Sequence, residues 1–190
     1  MISQKVHDVP PPPGFRSREA ALFLGQMDDQ SRRLAEDTRG MSADELAWQP
    51  LPGMNSIGML LAHIAVVEVS WTRIVLEDRP LPVEVRDVLG VDRDDTGMAL
   101  PPDGLPPAAL AGKDLAFFDD LLAKARAHLV RIASALADRD LEHAVVRRRP
   151  GGQDETITVR WTLYHMLEHL AGHYGQILLL RHQYRATRAG

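Results

Sequence analysis

The sequence predicts an all-α fold: an antiparallel four-helix bundle with a long crossover between helices two and three and a small hairpin before helix four. Three observations lead to this prediction. Apolar residues recur at helical spacing in four long segments. Capping residues, glycines or prolines bound these segments. The chain has 190 residues, of which 45% are hydrophobic, so it can bury one core without disulfides.

The first predicted helix begins after Ser17, a residue type that caps helix N-termini, and runs to about Arg39, just before Gly40. Its apolar residues follow three- and four-residue steps: Ala21, Leu22, Leu24, Met27 and Leu34. Residues 1–15 contain four consecutive prolines. We therefore expect a flexible N-terminal arm, followed by a bundle domain over 16–190.

The second predicted helix covers 57–77, after a proline-containing connector. It is apolar around most of its circumference, which indicates a deeply buried helix. His63, Glu68 and Arg73 interrupt the apolar run, so we expect no membrane span, which needs about 20 apolar residues. The N-terminus also lacks the apolar stretch of a signal peptide, and we expect a soluble cytoplasmic protein.

The predicted crossover, 78–112, contains six prolines, with one short helix over 83–89. Connections of this length are usually lids or binding loops, so we expect it to cover a functional region. Helical spacing returns over 113–136, the third helix. Two β-favouring runs around a Pro-Gly-Gly turn then predict a hairpin, and the fourth helix follows over 159–182.

The charge balance and the absence of cysteine exclude several functions. The 22 basic and 26 acidic residues give a net charge of −4, so no strong field draws the chain to nucleic acid or to an anionic membrane. We therefore expect a small-molecule substrate as its partner. Without cysteine, thiolate metal sites and thiol nucleophiles are excluded.

Four histidines are candidates for a metal site. His165, His169 and His173 are spaced four residues apart on the last helix, and imidazoles at this spacing can share one metal ion. The simpler interpretation of such a pair is half-buried polar residues. His63, however, lies among apolar residues of the second helix, where a buried imidazole needs a partner. One shared ion accounts for both observations, and three imidazoles suit zinc, nickel, cobalt or iron(II).

Two segments of the sequence resemble the DinB-like (YfiT-like) metal-binding four-helix bundles, which include mycothiol- and bacillithiol-dependent enzymes. They are Trp48 to His63, a proline-containing connector that leads into a helix, and Thr158 to Gln176, which has a histidine pair before a Gly-Gln step. The resemblance implies that His63, His169 and His173 bind one divalent ion, with zinc or nickel expected. It also implies a homodimer, because members of the family often pair.

The resemblance gives no role to His165. This histidine is our candidate for a catalytic base on the substrate side. Alternatively, it supports the metal ligands or is simply a packed polar residue. In the mycothiol-dependent maleylpyruvate isomerases, the position of His169 is occupied by Glu. Tyr174 stands where the family usually has Arg, so contacts of that arginine are not expected here.

Together with the histidine spacing, the resemblance implies a metal-dependent enzyme of S-transferase, isomerase or hydrolase type. In such an enzyme a metal-activated water or low-molecular-weight thiol attacks a small electrophile. Because the chain has no cysteine, any thiol must be supplied as a cofactor. The alternative is a non-catalytic metal-binding or stress-linked interaction protein, since no carboxylate base is evident on the histidine stripe.

Several other residues have simpler expected roles. Glu68 lies about 140° around its helix from His63, so it should pair with a neighbouring helix rather than bind metal. Gln176 either orients a ligand imidazole or packs between helices. Arg147 to Arg149 form a solvated hairpin edge or, alternatively, bind a carboxylate or phosphate. The three tryptophans, including Trp161, are expected in the core, and His128 at the surface.

Overall fold

The computed structural model describes residues 8–96, 98–148 and 152–188. Within them, the structure confirms the all-α fold. It contains four long helices, two short ones and a two-stranded sheet, which are α1 (Arg18–Thr38), α2 (Ala43–Ala47), α3 (Ile57–Trp71), α4 (Arg86–Leu89), α5 (Leu115–Ala133), β1 (Ala144–Arg147), β2 (Glu155–Thr158) and α6 (Val159–Arg188). The first seven residues of the predicted arm, and Arg149 of the basic trio, lie outside the described residues.

The four long helices form the bundle, in which α3 packs against α5 and α6, and α1 packs against α6 and α5. Local sequence determines where α1 begins: Ser17 Oγ accepts a hydrogen bond from the Ala20 backbone N–H at 3.1 Å. The same hydroxyl donates to Asp138 at 2.7 Å. β1 and β2 pair antiparallel, with Ala144 opposite Thr158, so the hairpin leads directly into α6.

The central helix of the core is α3, and nearly all of its residues are buried. It continues as a π-helical turn over Thr72–Leu76, a local widening that the sequence did not predict. By length and composition alone the combined span Ile57–Leu76 is apolar enough to cross a membrane, but 72% of its most apolar window is buried inside the protein. Its apolar surface is thus used in the bundle core.

A buried ion pair joins α3 to two neighbouring helices. Arg126 on α5 donates to both carboxylate oxygens of Glu68 on α3, at 2.8 and 3.1 Å, and to Asp28 on α1 at 2.7 Å. The prediction that Glu68 pairs with a neighbouring helix is therefore correct. These contacts hold α3 in register with α1 and α5.

The crossover is attached to the end of α3 by Arg73, which is only 3% exposed. Its guanidinium donates to both carboxylate oxygens of Asp87, at 2.7 and 2.6 Å, and also to the Glu84 carbonyl. The helix predicted over 83–89 is shorter, because α4 begins only at Arg86. A 3₁₀ turn over Arg93–Thr96 follows it.

The expectation that His128 lies at the surface is wrong, because this residue is only 8% exposed. It follows the core residues Leu121 and Ala125 by seven and three positions, so it lies on the buried stripe of α5. Its Nδ1 lies 2.9 Å from an Arg131 guanidinium nitrogen, and its Nε2 lies 3.5 Å from a Glu77 carboxylate oxygen.

Candidate metal centre

Two helices of the bundle bring three of the four candidate histidines together. His63 lies midway along α3, and His169 and His173 lie one turn apart on α6. The ring centroid of His63 lies 5.0 Å from that of His169 and 5.1 Å from that of His173. The centroids of His169 and His173 are 4.3 Å apart. One ligand nitrogen from each residue lies within 4.8 Å of the others, so the three could hold a metal ion.

Two of these imidazoles are held in the neutral form that binds metals. Burial, and the charges of nearby His173 and Arg93, lower the pKa of His63 to about 4. Burial and the charges of the neighbouring histidines lower the pKa of His169 to about 3. Both imidazoles are therefore neutral at pH 7, and each has one nitrogen with a free lone pair for a cation.

The orientation of His173 is set by a residue on its own helix. Its Nδ1 lies 2.8 Å from Gln176 Oε1, three residues further along α6. With that amide oxygen as the acceptor, Nδ1 carries the proton and Nε2 has the free lone pair. Nε2 in turn lies 3.0 Å from His169 Nε2. Gln176 thus has the contact expected of a residue that orients a ligand imidazole.

The three residues fit a divalent transition metal. Imidazole nitrogens bind zinc at about 2.1 Å, so two nitrogens on one ion are at most about 4.2 Å apart. The 4.8 Å limit of this cluster is larger by roughly half an ångström, which a small side-chain rotation would close. Three imidazoles without thiolate or carboxylate also leave coordination positions for a substrate, as in catalytic sites.

A cavity of about 660 Å³ opens beside the cluster, with His63 in its wall. One side comes from α3, including Val67, Ser70 and Trp71, and the other comes from the crossover. The described crossover residues in this wall are 81–85, 92–96 and 98. Five of them are charged: Glu84, Asp92, Arg93, Asp94 and Asp95. The sequence analysis expected the crossover to cover a functional region, but it did not identify these residues, because nothing in their local pattern predicts the path of the loop.

His165 lies outside the cluster of ligand atoms. Its ring centroid is 5.9 Å from that of His169. Its ring stacks on Trp161 with centroids 4.7 Å apart and planes 9° apart, and its Nδ1 lies 3.0 Å from a Glu168 carboxylate oxygen. The expectation of a core tryptophan at 161 is wrong, because that side chain is 42% exposed. Tyr174 points away to hydrogen-bond Asp37 on α1.

Comparison with known proteins places the chain in a family. The sequence model of the mycothiol-S-transferase family matches residues 22–186. The chain is 26% identical over 166 residues to the uncharacterized protein YkkA of Bacillus subtilis, covering 87% of each chain. The crystal structure of a conserved protein from Enterococcus faecalis has the same fold, with a TM-score of 0.62 and 17% identity over 84% of this chain and 93% of that one. The family match includes most of each long helix and all three histidines of the cluster. The chain therefore belongs to the mycothiol-S-transferase family, within the DinB-like bundles that its sequence resembles.

Proposed function

We propose that this protein is a metal-dependent thiol S-transferase that joins a low-molecular-weight thiol to a small electrophile. The observation that supports the proposal best is the group of His63, His169 and His173 beside a large cavity, in a chain with no cysteine of its own. A bound divalent ion would act as a Lewis acid and lower the pKa of a bound thiol or water molecule toward neutral pH. Membership of a family described as mycothiol S-transferases favours the thiol.

The residues of the chain supply binding and orientation in this proposal. His63, His169 and His173 hold the ion, and Gln176 orients the His173 imidazole through its Nδ1. The crossover shields one side of the cavity from water, since Arg73 ties it to the end of α3. Zinc or nickel suits the three imidazoles. A cytoplasmic location would provide the reduced thiol that the chain itself lacks.

The test is thiol consumption by untagged protein loaded with zinc or nickel. We would supply mycothiol, bacillithiol or glutathione together with a chromogenic haloarene, and compare wild type with His63→Ala. His182→Ala is the matched control, because this histidine is exposed on α6 away from the cluster. Conjugation that needs the ion and is lost only in His63→Ala supports the proposal.

Two outcomes would contradict the proposal. Ion-dependent hydrolysis of esters without any thiol would instead make the protein a hydrolase that uses the same histidines. An ion bound by wild type, with no turnover across the thiols and electrophiles, would favour a metal-binding protein without catalysis.

A further inference from the structure

A second cavity lies next to the histidine cavity, on the other side of Trp71. It has a volume of about 450 Å³ and is bordered by Trp71 on α3, Arg147 on β1, and Trp161 and His165 on α6, with β2 closing one side. Trp71 and Arg147 also line the histidine cavity. The two cavities are thus neighbours that share a wall, and a volume of this size suits a small organic ligand. We call the second cavity the tryptophan groove.

Three aromatic rings form one continuous surface in the tryptophan groove. Trp71 and Trp161 meet edge to face, with centroids 5.7 Å apart, and His165 stacks flat on Trp161. His165 also lies edge to face with Trp71, at 5.3 Å. Trp161 nevertheless stays 42% exposed, although tryptophan is usually well buried. An aromatic surface that is rigid and open on one side suits stacking with a planar ring.

Two charged side chains line the tryptophan groove, Glu155 on β2 and Arg147 on β1, and Arg147 supplies its positive charge. The Arg147 guanidinium lies over the Trp71 ring, 5.7 Å from the centroid. Among residues 8–96, 98–148 and 152–188, no carboxylate lies within ion-pair distance of Arg147, and Glu155, opposite it in the β-ladder, has a polar interaction of its own. Because the guanidinium already covers Trp71, this face is closed to a second cation. A planar guanidinium instead suits a carboxylate, which it can bind through two hydrogen bonds.

We propose that the tryptophan groove binds an aromatic carboxylate, with its ring against Trp161 and its carboxylate at Arg147. The role of this binding rests on the proposed function. The groove would hold the aromatic part of an electrophile whose reactive end enters the histidine cavity. Arg147 borders both cavities and so lies between these two parts. Binding itself does not depend on metal, and it can be measured separately from catalysis.

The test is titration of the metal-free protein with 2-naphthoate and with its saturated analogue decalin-2-carboxylate. The indole N–H signals are followed by NMR, and the affinity is measured by calorimetry. The chain has three tryptophans, so each indole signal can be assigned by single substitution. We expect the signals of Trp71 and Trp161 to move and that of Trp48 to stay, because Trp48 packs against Tyr184 elsewhere on the molecule.

Substitutions then separate the two parts of the site. Trp161→Ala should weaken naphthoate binding about tenfold, because an aromatic stacking partner is lost. Arg147→Gln should remove the preference for naphthoate over the neutral 2-naphthamide. Trp48→Phe and Arg148→Gln are the matched controls, and both should bind as wild type does. Trp161 is partly exposed and Arg147 lies on a short hairpin, so circular dichroism is expected to show folded variants.

Several results would overturn the inference. These are an unchanged affinity in Trp161→Ala, equal binding of the saturated acid, tighter binding of an aromatic quaternary ammonium than of naphthoate, or movement of the Trp48 signal alone. The inference and the proposed function can fail separately. Naphthoate binding at the groove with no thiol transfer supports the inference and refutes the proposed function. Thiol transfer to aromatic acids at an unchanged rate in Trp161→Ala supports the proposed function and refutes the inference.

Discussion

Replacing Gln176 by alanine should weaken metal binding without unfolding the protein. Gln176 Oε1 lies 2.8 Å from His173 Nδ1, so the substitution removes the group that orients this imidazole. Loss of such a partner typically costs about 10- to 100-fold in metal affinity. Gln176 is exposed, so water can replace its amide oxygen. We therefore expect the lower end of the range, about tenfold or 1.4 kcal/mol.

The assay is competition for zinc against a chromophoric chelator at constant pH and salt. Gln176→Glu is the informative companion, since a carboxylate acceptor makes the imidazole more basic and should tighten binding. Gln26→Ala, an exposed glutamine on α1, is the control and should match wild type. A change under about twofold in Gln176→Ala, or weaker binding in Gln176→Glu, would refute the reasoning about His173.

Three further predictions concern the fold. Arg126→Met should lower the free energy of unfolding in urea by about 3–5 kcal/mol, because it strands the buried carboxylate of its partner on α3; a loss under about 1 kcal/mol would argue against this. Gly58→Ala should lower the free energy of unfolding by about 1–3 kcal/mol, since the new Cβ would lie 2.8 Å from Phe118 Cζ. Gly172→Ala has open space around the new Cβ and should raise that free energy by up to about 1 kcal/mol. Equal effects of the two substitutions would contradict the packing. Burial lowers the pKa of His128 below its ordinary 6.5, so its contribution to stability is present above that pH and is lost as the pH falls. From pH 7 to 5, the urea midpoint of unfolding should therefore drop less in His128→Gln than in wild type. Equal drops in the two proteins would disprove this prediction.

The long helices could be predicted from sequence because their causes are local. Apolar spacing and N-caps such as Ser17 act within a few residues, so the predicted start of α1 agrees with the structure. The same holds for α6, where His169 and His173 follow from a four-residue spacing. The contact between this pair and His63 was inferred from a physical requirement, namely that a buried imidazole needs a partner.

The features that the sequence did not reveal depend on tertiary packing. The spacing of His128 from Leu121 and Ala125 places it on the apolar stripe of α5, but only the packing of α5 in the bundle buries it. The path of the crossover depends on Arg73, whose partner Asp87 is fourteen residues away with no spacing rule to predict the pair. Trp161 has the composition of a core residue, and only its position on the outer side of α6 makes it part of a groove.

The metal content of untagged protein tests the central claim most directly, since the proposed function depends on three imidazoles that bind one ion. Elemental analysis of wild type, His63→Ala and the exposed control His182→Ala, each purified in the same way, gives the answer. We predict about one zinc or nickel ion per chain in wild type and the control, and almost none in His63→Ala. A full complement of metal in folded His63→Ala would show that α3 contributes no ligand and would contradict the account.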